Sequence, residues 1–329
     1  MTVSSPPDVQ LQKIPVKSDQ KRHRVVILAG PTGVGKTAFS LELAKAINGE
    51  IVSADSMQVY KGMDIGTAKA TLEEQKQVPH HLIDILDVRQ KYNVVDFYHD
   101  AMAALSDITH RGKVPIVVGG TGFYIRALMK GPPPGPPSKP ELREKLEEQL
   151  DRIGVKAMYD SLYDVDPTYA STISTNDKQK ILRALEIIAV TGLNVSSLPT
   201  QKDADEDVFD FCCYFLHRPK PELHQRVELR CEKMLEEGFI EEVERLVKTG
   251  LLDNSSAKEA IGYRQAIDFL ESKRTLEDYR FFKEKFIIAS RKYIKRQFTW
   301  FKKEPEFEWV DLSSINTTDL ILKITKAIL

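Results

Sequence analysis

The sequence predicts an α/β protein, with a phosphate-loop (P-loop) parallel sheet core flanked by helices and an all-helical insertion. Two observations support this prediction. Apolar runs alternate with stretches of helical periodicity over roughly the first 130 residues, the pattern of parallel strands joined by helices. A proline-rich stretch then interrupts this pattern and leads into charged amphipathic helices. At 42% hydrophobic and 29% charged, the 329 residues are ordinary for a globular chain.

Strands are predicted where short apolar runs are bounded by turn residues. They are "RVVILA", "EIVSA", "VPIVVGG" and, after the insertion, "VFDFCCYFL". Core helices are predicted where apolar residues recur at helical spacing. They cover 36–47, 93–110, 122–130, 219–237, 239–249, 257–270 and 275–301. We therefore expect a parallel sheet that is covered by helices on both faces.

The stretch "GPPPGPPS" at 131–138 marks a domain boundary, because proline fixes φ and removes a backbone donor. The helices "KPELREKLEEQLDRI" and "DKQKILRALEIIAV" follow it. We assign 132–200 to a helical insertion. The catalytic core then comprises 23–131 and 201–329, and 1–22 is expected to be a flexible tail.

Composition excludes several classes of protein. A formal charge of −1 does not fit a globally basic nucleic-acid binder, and no apolar run reaches the ~18 residues of a membrane helix. Cys212, Cys213 and Cys231 form no CxxC pair, so we expect buried thiols in a reducing compartment. We predict a monomer without a membrane partner. We expect it in the cytoplasm, or in a plastid or mitochondrion if the source is a eukaryote.

The stretch "GPTGVGKT", Gly30 to Thr37, lies between a buried strand and a helix, the context that supports a P-loop. Its glycines let backbone amides form an anion-binding nest at a helix N-terminus. Lys36 would pair with phosphate oxygens, and the Thr37 hydroxyl would bind Mg²⁺.

The second acidic residue that NTP-hydrolysing sites use to hold the metal is missing after the third predicted strand, which ends "VVGGTGFY". Asp55, after the second strand, would lie near the loop because neighbouring strand ends converge. It is a metal ligand, a base acting on a nucleophile, or a helix N-cap. Thr121 is a hydroxyl donor to substrate or the N-cap of the next helix. His80 and His81 are adjacent, so they point apart in a strand and have a structural role.

Eight collinear motifs make the chain resemble the tRNA dimethylallyltransferases, over roughly 25–309. They are "GPTGVGKT", "IVSADSMQVYKGMDIGTAK", "PHHLIDI", "VPIVVGGTGFYIRAL", "NDKQKILRALEI", "GFIEEV", "AIGYRQ" and "KRQFTWF". The resemblance implies transfer of a dimethylallyl group from dimethylallyl diphosphate to N6 of adenosine 37 in tRNA. Diphosphate is released, so the loop would hold a leaving group, which accounts for the missing acid.

The resemblance also implies residue roles. The catalytic residues would be Asp55, Thr121, Lys36 and Arg230, with Asp55 as the base. Diphosphate would be bound by Gly30, Pro31, Thr32, Gly33, Val34, Gly35, Lys36, Thr37 and Arg230. The tRNA anticodon stem-loop would be bound by Asp55, Ser56, Met57, Gln58, Thr121, Arg143, Gln179, Lys180, Ile181, Leu182, Arg183, Gly262, Tyr263 and Arg264. Glu259 departs from the family, because many relatives carry a basic residue there.

The segment 280–303 combines nine Lys/Arg with one acid and seven aromatic residues. It is either a solvated helix with a buried aromatic stripe or a surface that follows the phosphates of tRNA. Two alternative functions remain at this point. An adenylate isopentenyltransferase of cytokinin synthesis would use the same chemistry on a free nucleotide, whereas a P-loop small-molecule kinase would bind and turn over ATP.

Overall fold

The computed structural model describes residues 22–199 and 208–328, so most of the predicted tail at 1–22 and the start of the second core segment at 201 lie outside the described residues. Six parallel strands form one sheet in the order β3-β2-β4-β1-β5-β6. They are β1 (His23–Ala29), β2 (Gly49–Ala54), β3 (His80–His81), β4 (Val114–Gly119), β5 (Phe209–His217) and β6 (Glu308–Asp311).

The sheet confirms the α/β prediction and its four predicted strands. The two edge strands β3 and β6 were not predicted, because two and four residues are too short to show a period. Side chains of β1 alternate between two hydrophobic clusters, with Val26 and Leu28 on one face and Val25 and Ile27 on the other. Helices therefore cover both faces, as expected of a parallel sheet.

Twelve helices accompany the sheet within the described residues. They are α1 (Lys36–Ile47), α2 (Leu72–Gln77), α3 (Val94–His110), α4 (Gly122–Lys130), α5 (Pro140–Val165), α6 (Pro167–Ala170), α7 (Lys178–Thr191), α8 (Lys220–Glu236), α9 (Phe239–Lys248), α10 (Tyr263–Glu271), α11 (Leu276–Phe301) and α12 (Thr317–Ile328). The helix predicted from residue 257 begins only at Tyr263, because Gly262 has φ 90° and precedes it as the N-cap. The prediction missed α2, α6 and α12.

Helices α5, α6 and α7 pack around a hydrophobic cluster of their own that includes Met158, Leu162 and Ile181. A left-handed residue, Gly154 at φ 83°, kinks α5. The predicted domain boundaries at 132 and 200 stay predictions, and residue 200 lies outside the described residues.

The cysteine prediction is confirmed for two residues. Cys213 and Cys231 are buried, whereas Cys212 is partly exposed, and all three thiols are free. Cys212 and Cys213 differ because adjacent residues of a strand face opposite sides of the sheet. Over 22–199 and 208–328, no helix has the length and apolarity needed to cross a membrane.

Candidate active site

The P-loop joins the end of β1 to the start of α1. Gly33 and Gly35 have φ values of 78° and 109°, a left-handed conformation that glycine adopts without strain. The Lys36 ammonium folds back over the loop and donates hydrogen bonds to the carbonyl oxygens of Gly30 (2.8 Å) and Pro31 (2.9 Å). The loop thus has the predicted nest geometry, and it holds its lysine at the mouth of the nest.

Three side chains outside the loop hold its backbone, and sequence reasoning did not find any of them. Arg218 donates from Nε to the carbonyl of Val34 (3.0 Å), and Arg226 donates from Nε to the carbonyl of Gly33 (2.8 Å). Gln297 accepts a hydrogen bond from the Thr32 amide through Oε1 (3.0 Å). The Thr32 amide, predicted to belong to the diphosphate cradle, is therefore engaged by a side chain of α11.

Two cations face the same side of the loop. The pKa of Lys36 is lowered to about 7: burial is the largest cause, the positive charge of Arg230 acts in the same direction, and Asp55 opposes both. Burial also lowers the pKa of Arg230. Within the described residues Arg230 forms no ion pair, so its guanidinium is available to a ligand. Two cations in one cavity, each with a pKa lowered by burial, predict an anionic ligand.

Asp55 follows β2 and is positioned by its own turn. Its Oδ1 accepts hydrogen bonds from the amides of Met57 (2.9 Å) and Gln58 (3.4 Å). The helix N-cap interpretation of Asp55 is wrong, because a turn and not a helix follows it; Oδ1 holds this turn. The other, Oδ2, accepts no hydrogen bond from any described residue and is free to accept a proton or a ligand.

Thr121 follows β4 and begins α4, but its side chain makes no capping hydrogen bond. Its hydroxyl instead accepts a hydrogen bond from the Ser56 amide (3.3 Å), which joins the turns after β2 and β4. The Tyr293 phenol is a further partner of this hydroxyl. The pKa of Tyr293 is raised to about 12: burial is the largest cause, the charge of Asp55 acts in the same direction, and the Thr121 bond opposes both. Tyr293 is thus a site residue that was predicted only as part of the aromatic stripe.

The P-loop, Asp55 and Tyr293 line one cavity of about 720 Å³, and so do Gly119 and Gly120, which directly precede Thr121. β1, β2 and β4 are neighbours in the sheet, so the P-loop, Asp55 and Thr121 meet at its carboxyl edge, as predicted. Lys36, Arg230, Thr37 and Gln58 also line this cavity. An anion nest, two cations and one free carboxylate oxygen therefore share a space large enough for a small substrate and a nucleobase.

A buried carboxylate organises the far wall of the cavity. Glu242 on α9 is fully buried, and it accepts hydrogen bonds from the amides of Asp64 (3.0 Å), Ile65 (2.7 Å) and Gly66 (3.2 Å). The Tyr263 hydroxyl donates a fourth bond (2.6 Å). This one carboxylate therefore joins three sequence motifs, "GFIEEV", "DIGTAK" and "GYR".

Tyr263 is a correction to the predicted tRNA-binding set. Its side chain is 1% exposed and bonded to Glu242, so it supports the wall instead of presenting a surface to a macromolecule. Gly262 is buried too. Arg264 is exposed and its Nη1 lies 3.0 Å from Glu259 Oε2, so an acid partly neutralises this predicted contact.

The insertion requires a similar correction. Ile181 and Leu182 are 0% and 2% exposed, because they form the apolar stripe of α7 within the insertion's own core. Their side chains are unavailable to tRNA. The remaining predicted residues are polar and lie at the surface or at its edge: Arg143, Gln179, Lys180 and Arg183.

Arg143 and Gln179 come from different helices and meet at 2.6 Å, from Arg143 Nη2 to Gln179 Oε1. Arg183 is bonded within the insertion, since its guanidinium donates to Glu186 (2.9 Å) and to the carbonyl of Pro136 (2.5 Å). The structure thus assembles a polar patch from Arg143, Gln179 and Lys180.

The basic segment lies on α11 and separates into two faces. Phe282 and Phe301 are buried in the core, whereas Lys292 and Lys295 are exposed. The two interpretations of this segment therefore describe opposite sides of one helix, an aromatic stripe that packs inward and cations that face outward.

The adjacent histidines have separate partners. His80 Nδ1 lies 2.7 Å from the carbonyl of Val78, and His81 Nε2 lies 2.8 Å from Glu50. Bonds from Arg111 are the largest cause that holds the pKa of Glu50 well below its usual range. Both rings have the partners that the predicted structural role requires, but His80 also lines the cavity, so this role stays a prediction.

The model of the IPP transferase family matches residues 58–304. The tRNA dimethylallyltransferase of Protochlamydia amoebophila is 51% identical over 315 residues, which cover 95% of this chain and 92% of the relative. That of Chlamydia trachomatis serovar D is 48% identical over 307 residues, 93% and 98% of the two chains. The chain belongs to the IPP transferase family.

Solved structures agree with this assignment to the IPP transferases. The tRNA isopentenylpyrophosphate transferase of Bacillus halodurans has a TM-score of 0.67 and 38% identity, and the match covers 94% of this chain and 96% of that chain. A eukaryotic dimethylallyltransferase acting on tRNA has a TM-score of 0.76 and 30% identity, covering 92% and 79%. The predicted family is confirmed, and this member is a transferase enzyme. The comparisons favour the tRNA prediction over the free-nucleotide and kinase alternatives, and they give no support to a role in cytokinin synthesis.

Proposed function

We propose that this IPP transferase moves a dimethylallyl group from dimethylallyl diphosphate to N6 of adenosine 37 in tRNA. The observation that carries the proposal is a single cavity lined by the P-loop, two cations and Asp55. The loop and the cations would bind diphosphate, and Asp55 would meet the adenine. The bond between the allylic carbon and the diphosphate oxygen breaks, and its electron pair leaves with diphosphate.

The donor side of the cavity would stabilise this departing charge. Lys36 and Arg230 line the cavity and are partly buried, so an electrostatic interaction with an anion is stronger there than in bulk solvent. The loop amides and the N-terminus of α1 add partial positive charge. Donors that are already oriented toward a developing anion are usually the largest single contribution to catalysis.

The side of the cavity that meets the adenine would supply the base that takes the N6 proton. An adenine amine is a poor nucleophile, so the N6–C bond forms most easily when a base takes the N6 proton. Asp55 has one free oxygen for this proton and one oxygen fixed by its turn. Thr121 would position the amine, because its hydroxyl lies between the turn of Asp55 and Tyr293.

The oxygen ligands that the cavity offers fit a Mg²⁺ ion that is coordinated mainly by the substrate. No cluster of three His, Cys, Asp or Glu side chains forms a metal site in the described residues, but the Thr37 hydroxyl and the Asp55 carboxylate line the same cavity. Mg²⁺ usually binds one or two protein oxygens together with substrate phosphates and water. It would neutralise diphosphate charge when bound, and Thr37 would be its protein ligand.

The tRNA surface would extend over two regions. The polar patch of Arg143, Gln179 and Lys180 lies on the insertion, and Lys292 and Lys295 lie on α11 near the cavity. We propose that these residues follow the phosphates of the anticodon stem-loop. Arg264 would contribute less, since it is paired with Glu259.

The test is nucleoside mass spectrometry after incubation with dimethylallyl diphosphate. Three acceptors are compared: unmodified tRNA, an anticodon stem-loop RNA and AMP. We expect N6-isopentenyladenosine in both RNAs and none from AMP. Product from AMP alone would overturn the proposal in favour of a free-nucleotide enzyme. ATP turnover without RNA and without alkyl transfer would instead favour a kinase.

A further inference from the structure

Gln297 on α11 is a buried carboxamide that joins two loops of the cavity. Its Oε1 accepts from the Thr32 amide (3.0 Å), and its Nε2 donates to the carbonyl of Gly120 (3.1 Å). The side chain is 4% exposed. Among neutral side chains of this length, a carboxamide alone donates and accepts through one planar group. It therefore connects the donor-binding loop to the turn that carries Thr121.

The same face of α11 packs on both sides of Thr121. A Cβ at Gly120 would lie 2.2 Å from Gln297 Nε2, and a Cβ at Gly122 would lie 2.3 Å from Trp300 Cδ1. Gln297 and Trp300 are three positions apart on the helix, so they share a face. Two glycines of the "GGTG" turn are thus required by the close approach of α11.

We propose that Gln297 is a positioning residue that sets the spacing between the donor-binding loop and Thr121. It acts through the backbone of Thr32 and Gly120. The inference rests on the proposed transfer reaction, in which the leaving diphosphate and the attacking amine must be aligned. A misplacement of about 1 Å between reacting groups can cost on the order of 100-fold in rate.

The experiment compares Gln297→Met, Gly120→Ala and the double variant. Methionine keeps the size of the side chain and removes both hydrogen bonds, whereas alanine at 120 pushes the carboxamide away. Thr299→Ala is the matched control, because Thr299 is an exposed α11 residue whose hydroxyl bonds only Lys295. Rates are expressed per folded molecule, with the folded fraction taken from thermal unfolding.

We expect Gln297→Met to lower kcat at least about tenfold and to leave the KM for stem-loop RNA within about twofold. Gly120→Ala should likewise lower kcat and leave the KM for stem-loop RNA nearly unchanged. The kcat of the double variant should be no lower than that of the slower single variant, because both substitutions break the same connection between the P-loop and the turn of Thr121. Additive losses, or a kcat within twofold of that of Thr299→Ala, would overturn the inference.

Calorimetry with inorganic diphosphate separates this inference from the proposed function, because it needs no turnover. The dissociation constant should rise about three- to tenfold in Gln297→Met, since the loop loses its fixed conformation. An unchanged constant would count against the positioning role even if the wild-type protein transferred no alkyl group. Absence of transfer by the wild type would instead remove the proposed reaction.

Discussion

The Tyr263 hydroxyl donates a 2.6 Å hydrogen bond to Glu242, and both side chains are buried. Glu242 also accepts three backbone amides, so a protein carboxylate occupies an anion nest formed by 64–66. This wall of the cavity depends on the Glu242 carboxylate, because its loss would leave the Tyr263 hydroxyl and the three amides without an acceptor.

Glu242→Gln should therefore lower the free energy of unfolding by about 2–4 kcal/mol, because an amide donor would face backbone donors. Tyr263→Phe should cost about 1.5–3 kcal/mol, the usual range for a bond to a charged group. Urea unfolding followed by circular dichroism measures both. Glu244→Gln on the same helix is the control, because Glu244 is partly exposed and its pair with Arg274 should contribute under about 1 kcal/mol. Equal stability of the Glu242 and Glu244 variants would contradict this account.

Asp55→Asn separates the two roles of Asp55. Asparagine keeps an oxygen for the amides of Met57 and Gln58, so the turn should remain, but it accepts no proton. We expect kcat to fall about 100-fold or more, while the dissociation constant for diphosphate stays within threefold. Single-turnover kinetics and calorimetry are the measurements. If Asp55→Asn were as active as wild type while Asp55→Ala were not, Asp55 would hold its turn and would not be a base.

Lys36 predicts a pH dependence of diphosphate binding. Its pKa is lowered to about 7 in the free protein, so it is mostly neutral at pH 8. A bound diphosphate favours the charged form and raises the pKa again, so the complex holds more protons. Affinity should then weaken as pH rises above 7, and binding at pH 8 should take up close to one proton. Calorimetry in buffers of different ionisation enthalpy measures this uptake. Lys36→Met corrects for the proton of diphosphate itself, and equal uptake in both proteins would refute the prediction.

Lys292 and Lys295 predict the salt dependence of RNA binding. Both are exposed, and neither forms an ion pair within the described residues. The double change to alanine should weaken stem-loop binding and reduce the slope of log K against log salt by about 1 to 2. Removing Lys76 and Lys326, exposed lysines of α2 and α12, is the charge-matched control. Identical slopes for the two double variants would make the α11 cations purely structural.

Much of the site was predictable because its signals are local. The glycine spacing of the P-loop, Asp55 after β2 and Thr121 after β4 can each be read from a few neighbouring residues, and parallel strands bring them to one edge. Gln297 could not be found this way. It lies 265 residues from Thr32 and 177 from Gly120, and the interior of a helix does not show which carboxamide turns inward.

The predicted tRNA set shows the same limit. Five consecutive residues were assigned to RNA in 179–183, but helical periodicity places Ile181 and Leu182 in the core of the insertion. Tyr263 was assigned by its motif, and only the approach of α9 shows that its hydroxyl is used by Glu242.

The sequence by itself determined the fold class, the family and the chemistry of the donor loop, because these depend on period, spacing and residue type along the chain. The tertiary structure alone decided which polar side chains face the cavity and which hold its walls. Glu242, Arg226 and Gln297 bond backbone groups from distant segments. Such bonds form only when packing has removed those groups from water, and no local pattern records that event.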